Sequence, residues 1–269
     1  MAKIYGMYFS GTDTTKKIVE FLSDQLAKER NLGKIIYDFT LPDRRKRYPK
    51  FEKDDIVVFG TPVIAGRVPN VLLPYLKTIE GNQAIAVPVV LYGNRDYDDA
   101  LIELRDLLEA DGFRTLAAGA FIGEHSFSKT LAAGRPDEDD LKIAKDFAQK
   151  IVKVLETWDG THPIPVRGES PYRFYYQPRN RYGNSIDIRK VKPKVNDQCN
   201  GCGRCVSVCP MGSISKEDVS QYTGICIKCG ACIKKCPEHA RYYDDEGYLY
   251  HKKELEEMYE RRAKPEIFI

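Results

Sequence analysis

Apolar positions in the first 156 residues fall into short solid runs separated by stretches of helical period. Residues 3–8 read as a strand, and strand-like runs recur at 34–39, 55–60, 84–91 and 114–122. Between the first two, Ile18, Val19, Phe21, Leu22 and Leu26 repeat at helical spacing, and helical patterns follow around 69–79, 98–110 and 137–156. Ile56-Val57-Val58-Phe59 and the run from Ile85 to Leu91 do not alternate with polar residues, as expected of strands buried on both faces. Strands alternating with helices predict βαβ units and therefore an α/β, doubly wound, parallel five-stranded sheet over residues 1–156.

The pattern changes after residue 156. Residues 157–193 hold five prolines (163, 165, 171, 178 and 193) and several tyrosines but little periodicity. A flexible tether would be rich in Gly and Ser, so this linker is expected to wrap along the first domain and hold the second. A small domain is predicted over 194–250, followed by a C-terminal helix and tail over 251–269.

That small domain carries the sharpest chemistry. All 8 cysteines lie between Cys199 and Cys236, whereas a disulfide framework would be spread through a short secreted chain. Cys199-x2-Cys202-x2-Cys205-x3-Cys209-Pro210 is repeated 27 residues on as Cys226-x2-Cys229-x2-Cys232-x3-Cys236-Pro237. Three cysteines at this spacing wind round one cube-shaped cluster, and the fourth, before proline, is carried by a helical turn to the other cluster. The spacing predicts two 4Fe–4S clusters. One is assigned to Cys199, Cys202, Cys205 and Cys236, the other to Cys226, Cys229, Cys232 and Cys209. Zinc is the alternative, although zinc modules pair C-x2-C knuckles across longer gaps.

Charge adds little. The chain has 42 Lys and Arg against 39 Asp and Glu, a net +3 that falls once ligand cysteines are counted as thiolates, so no nucleic-acid partner is expected. No apolar run reaches the ~18 residues of a membrane span, and the N-terminus lacks a signal-peptide core. The expectation is a cytoplasmic protein without membrane insertion.

In doubly wound sheets, ligands sit beyond the carboxyl ends of the strands. There Ser10-Gly11-Thr12-Asp13-Thr14-Thr15 places hydroxyls at a helix N-terminus, a setting for phosphate as well as for an ordinary cap. The third strand runs into Thr61-Pro62-Val63-Ile64-Ala65-Gly66, an apolar loop suited to a flat ring, and the fourth into Tyr92-Gly93-Asn94, Tyr97 and Asp98. His125 follows the fifth strand, as a cofactor contact or a satisfied polar residue. Asp137-Glu138-Asp139-Asp140 reads as a helix start, and Arg44-Arg45-Lys46-Arg47 most simply as a solvated loop, with docking of an acidic partner as the alternative.

At these loops the chain resembles the flavodoxin family. Residues 10–15 are similar to its phosphate loop, Ser/Thr-x-Thr-Gly-x-Thr, with Ser10, Thr12 and Thr15 matching and Asp13 standing where the family has Gly. The loops at 60–66 and 92–98 correspond to the pair that brackets the flavin ring, so the resemblance implies FMN. The cysteine-rich stretch resembles bacterial two-cluster ferredoxins, an α+β fold. With Gly60-Thr61-Pro62, Tyr92-Gly93-Asn94-Arg95, Glu124-His125-Ser126 and the tail Lys264-Pro265-Glu266-Ile267-Phe268, the whole chain is similar to EFR-type flavodoxin–ferredoxin fusion proteins. Clusters carry one electron at a time and a flavin one or two, so the expected role is an electron carrier joining FMN to two clusters, in an anaerobic or microaerobic host. Its partners would be redox proteins (a ferredoxin, flavoprotein or reductase), with a homodimer as one option. The rival reading is a flavin-dependent reductase of a small molecule.

Overall fold

The unalternated apolar runs form the middle of a parallel sheet. The structure is a computed structural model that describes residues 1–180 and 182–269. Its strands β1 (Lys3–Tyr8), β2 (Gly33–Asp38), β3 (Ile56–Pro62), β4 (Ile85–Tyr92), β5 (Arg114–Thr115) and β6 (Ala118–Ile122) are ordered β2-β1-β3-β4-β6, with β5 also on β4. All these pairs are parallel. The order reverses between β1 and β3, the switch point of a flavodoxin-like sheet. Helices α1 (Thr14–Arg30) and α4 (Glu138–Leu155) cover one face, burying Ile18, Val19, Leu22, Phe147 and Ile151 against Ile4, Val58 and Val89. Helices α2 (Leu73–Leu76) and α3 (Ala100–Ala110) cover the other, with Leu76, Leu101 and Leu104 in the second core.

Three details differ from the sequence expectation. The run at 114–122 is one edge broken at Leu116 and Ala117, although the amide of Leu116 still donates to the carbonyl of Ala86. The helix expected at 69–79 shrinks to a 3-10 turn (Asn70–Leu72) and the four residues of α2, because Pro69 and Pro74 remove two amides from the segment. The C-terminal tail adds a short strand to the sheet, which no run in the sequence predicts.

The small second domain pairs β7 (Lys194–Val195) with β8 (Arg241–Tyr242), antiparallel, around two single-turn helices, α5 (Arg204–Ser207) and α6 (Ala231–Lys234). Helix α7 (Glu246–Met258) follows, so the division expected at residue 250 falls inside a helix. The chain then returns to the first domain, where β9 (Glu266–Phe268) pairs antiparallel with β6 and covers the sheet edge.

The proline-rich segment between the domains is tied to the first one. Asp99 has no exposed surface and accepts from the amides of Glu169 and Arg173 and from the Arg173 guanidinium. Burial alone would raise its carboxyl; these hydrogen bonds bring it down to about 2. Arg67 lies under the rings of Tyr172 and Tyr175, and the Tyr175 hydroxyl donates to the carbonyl of Val68.

Candidate functional site

Residues 10–15 cross from β1 to α1, with Ser10, Gly11 and Thr15 buried and Asp13 exposed. Asp13, immediately before the helix, has φ 66°, the left-handed conformation that Gly would adopt most easily and that Asp tolerates. Ser10 Oγ accepts from the amide of Lys16 at 3.1 Å. Among the described residues, the amides of Gly11, Thr12, Asp13, Thr14 and Thr15 donate to no protein acceptor. Thr15 Oγ1 is buried without a partner, and so is Thr61 Oγ1. Free amides at a helix start with an orphaned hydroxyl beside them fit a phosphate group.

The carboxylate of Asp13 does not oppose such an anion unaided. Lys235 Nζ, from the second domain, pairs with Asp13 Oδ1 at 2.8 Å. Asp13→Asn is therefore expected to leave flavin retention unchanged while loosening the junction. Fluorimetric titration with FMN and hydrogen exchange across residues 231–236 would read the two effects separately.

The neighbouring loops are in place to receive a ring, though not with every expected side chain. Pro62, Val63, Ile64 and Ala65 are half-buried and keep an apolar surface. Gly66 takes φ 77°, and the Asp98 side chain lies where a Cβ would go, so both backbone and space require glycine there. Tyr92 is buried, and the His125 ring covers Gly93 so closely that no Cβ would fit there. Asn94 and Tyr97 are committed elsewhere. Asn94 Nδ2 donates to the carbonyls of Tyr259 and Arg261 at 2.6 Å, and the Tyr97 hydroxyl donates to Glu266 while accepting from Arg167. Asp98 pairs with Arg95. The tail and linker take up the polar groups of Asn94 and Tyr97, and Arg95 of the same loop takes up Asp98. The imidazole of His125 accepts from the amide of Phe127 through Nδ1. Burial, and next the nearby Lys234, push its pKa down to about 3, so it is neutral at physiological pH.

The eight cysteines form no disulfide and line two cavities. Cys209, Cys226, Cys229 and Cys232 surround one, with Ile214, Tyr222 and Tyr243 in its walls; it encloses about 350 Å³ of empty space including its mouth. Cys199, Cys202, Cys205 and Cys236 surround the other, with Val219 and Arg241, about 310 Å³ on the same measure. Gly203 and Gly230 occupy matching places in the repeat, capping α5 and α6 with φ 70° and 75°. Burial pushes the thiols of Cys229 and Cys232 up to about 12, so protons stay on those sulfurs unless a metal displaces them. Tyr243 Oη is buried without a partner. The four sulfurs of each set ring a cavity, which fits a polynuclear cluster.

The second domain sits on the carboxyl ends of the first domain's strands. A Cβ built on Gly11 would lie 3.3 Å from Cys229 Sγ, and one on Gly230 would lie 2.7 Å from the carbonyl oxygen of Ser126. Lys234 donates to the carbonyl of His125 at 2.8 Å and pairs with Glu124. Arg45, from the basic run expected to be solvated, donates to the carbonyl of Pro210 at 2.6 Å. Sequence reasoning missed these junction residues. One signal was readable: the first motif encloses Val206-Ser207-Val208 and the second Ile233-Lys234-Lys235, so the repeat is asymmetric where it meets the first domain.

Residues 198–241 match the family described as the 4Fe-4S dicluster domain. An uncharacterized protein of Methanocaldococcus jannaschii is 27% identical over 146 residues, 52% of this chain and 90% of the relative. Among solved structures, a flavodoxin from the domain Archaea is 16% identical, with a TM-score of 0.40 over 58% of this chain and 99% of that one. A flavodoxin of Streptococcus pneumonia is 18% identical, with a TM-score of 0.40 over 56% and 99%. On its own strand order and on the dicluster match, the chain joins a flavodoxin-like sheet to a small 4Fe–4S dicluster, ferredoxin-like domain.

Proposed function

We propose that this protein is an electron carrier linking an FMN to two 4Fe–4S clusters within one chain. The FMN phosphate is assigned to residues 10–15, with the ring beside the loops at 61–66 and 92–95. The inner cluster is assigned to Cys209, Cys226, Cys229 and Cys232, and the outer one to Cys199, Cys202, Cys205 and Cys236. The observation that carries this reading is the contact of Gly11 with Cys229, which brings the phosphate loop and one cysteine cavity together. An FMN exchanges one or two electrons and each cluster one, so the pair connects one-electron redox proteins to a two-electron donor or acceptor.

The residues divide the work. Amides 11–15 and Thr15 Oγ1 hold the phosphate. The apolar loop at 62–65 keeps water from one side of the ring site. Neutral His125, closed in by Phe127, adds no charge there. Cys202 is exposed, which suits the outer site to exchange with a redox partner such as a ferredoxin or reductase. A carrier is favoured over a small-molecule reductase by what crosses the ring loops. The amide of Tyr176 donates to the carbonyl of Ala65, the Tyr176 ring lies on Arg95, and residues 259–263 hold Asn94.

Cofactor analysis after anaerobic purification tests the reading. About eight iron and eight sulfide per chain are expected for two cubes, together with one non-covalent FMN. Thr15→Val should lower FMN occupancy and leave iron unchanged. Stoichiometric zinc, or intact clusters with no FMN, would overturn it.

A further inference from the structure

The internal repeat breaks at one buried position. Five residues after Cys209 stands Ile214, in the wall of the inner cavity; 27 residues on, five after Cys236, stands Arg241, in the wall of the outer cavity. Both are buried, at 4% and 3% exposed. Arg241 Nη1 donates to Cys205 Sγ at 3.3 Å and to the carbonyl of Val219 at 2.9 Å, and Nη2 donates to the Tyr222 hydroxyl at 2.6 Å. Its Nε is buried with no partner. Among the described residues no carboxylate pairs with it.

A guanidinium does not give up its proton, and an unpaired charge is costly to bury. The anionic groups at hand are the cysteine sulfurs: Cys205 by hydrogen bond, and Cys232 of the inner set through space. We infer that Arg241 is a positioning residue that makes the two cluster sites electrically unequal, so that the outer cluster accepts an electron more readily than the inner one. The inference rests on the cluster assignment proposed above. Reduction adds one negative charge to a site already made of thiolates. A fixed cation in hydrogen-bond contact stabilises the reduced form more than the oxidised one, and the low dielectric of the interior strengthens the effect. Arg241 also acts on Cys232 through space, but the one sulfur to which it donates a hydrogen bond belongs to the outer set, and Ile214 supplies neither charge nor donor to the inner one. Hydrogen bonds to ligand sulfur act in the same direction.

An anaerobic EPR-monitored titration of the full chain with dithionite tests this, each cluster taking one electron as dithionite is oxidised to sulfite. The outer cluster, identified by the signal that Cys202→Ser removes, should be reduced first. Arg241→Gln should weaken its one-electron reduction equilibrium about tenfold or more, a fall of about 59 mV per factor of ten. Arg241→Lys, which keeps the charge, should recover most of that loss. An outer-cluster potential unchanged in Arg241→Gln, with iron content intact, would overturn the inference. If Arg241→Gln fails to hold iron, pulsed EPR on the wild-type chain labelled with guanidino-15N arginine decides. A 15N coupling on the first-reduced signal is expected, and its absence would overturn the inference. Wild-type protein without iron–sulfur clusters would instead overturn the functional reading beneath it.

Discussion

Cys209→Ser is expected to remove the EPR signal that Cys229→Ser also removes, and to spare the signal sensitive to Cys202→Ser. By chain position Cys209 belongs with Cys199, Cys202 and Cys205. The single turn of α5 carries it past them, however, and it lines the cavity of Cys226, Cys229 and Cys232. There its sulfur accepts from the amide of Ser213 at 3.4 Å, a contact that holds it toward that cavity. Iron should fall from about eight to about four per chain, the content of one cube. If Cys209→Ser and Cys202→Ser damage one cluster while Cys229→Ser damages the other, ligation is sequential and the crossed assignment fails.

The second large effect is expected from Gly230→Ala, judged against Gly203→Ala. Both glycines are left-handed, so alanine at either costs roughly 1–2 kcal/mol in backbone strain. Their surroundings differ. A Cβ on Gly203 meets nothing within 4 Å, whereas one on Gly230 meets the Ser126 carbonyl oxygen at 2.7 Å, and that atom belongs to the other domain. Overpacking adds about 1–3 kcal/mol, and the way to relieve it is to part the domains. Hydrogen exchange at residues 10–15 and 123–128 should therefore speed up in Gly230→Ala and stay near wild type in Gly203→Ala. Equal exchange in the two variants would mean that the junction does not depend on this contact.

Much of this architecture is legible in the sequence, for identifiable reasons. The parallel sheet is announced by solid apolar runs such as 56–59, because strands buried on both faces have no polar side. The two cysteine sets that line the cavities repeat one spacing, the spacing that favours a polynuclear site over zinc. Other features are not local. Strand β9 is three residues long, too short for any period to register, and its partner lies about 150 residues earlier in the chain. The pair of Asp13 with Lys235 spans 222 positions, so the departure at Asp13 is visible in sequence while its compensation is not. Asn94 and Tyr97 were expected at a ring edge from their place in a strand-end loop; the tail that claims them lies about 165 residues on. Arg241 stands on a two-residue strand five residues after the last cysteine, and its place in the wall of the outer cavity, where Ile214 occupies the matching place of the inner one, is not readable from the chain alone.

The most direct measurement is iron anomalous diffraction from anaerobically grown crystals of the cofactor-loaded chain. Two iron cubes and one flavin are expected. The cube nearer the flavin should be bound by Cys209, Cys226, Cys229 and Cys232, beside Gly11, with the FMN phosphate on the amides of residues 11–15. A flavin bound elsewhere, or both cubes remote from the loop at residues 10–15, would contradict it.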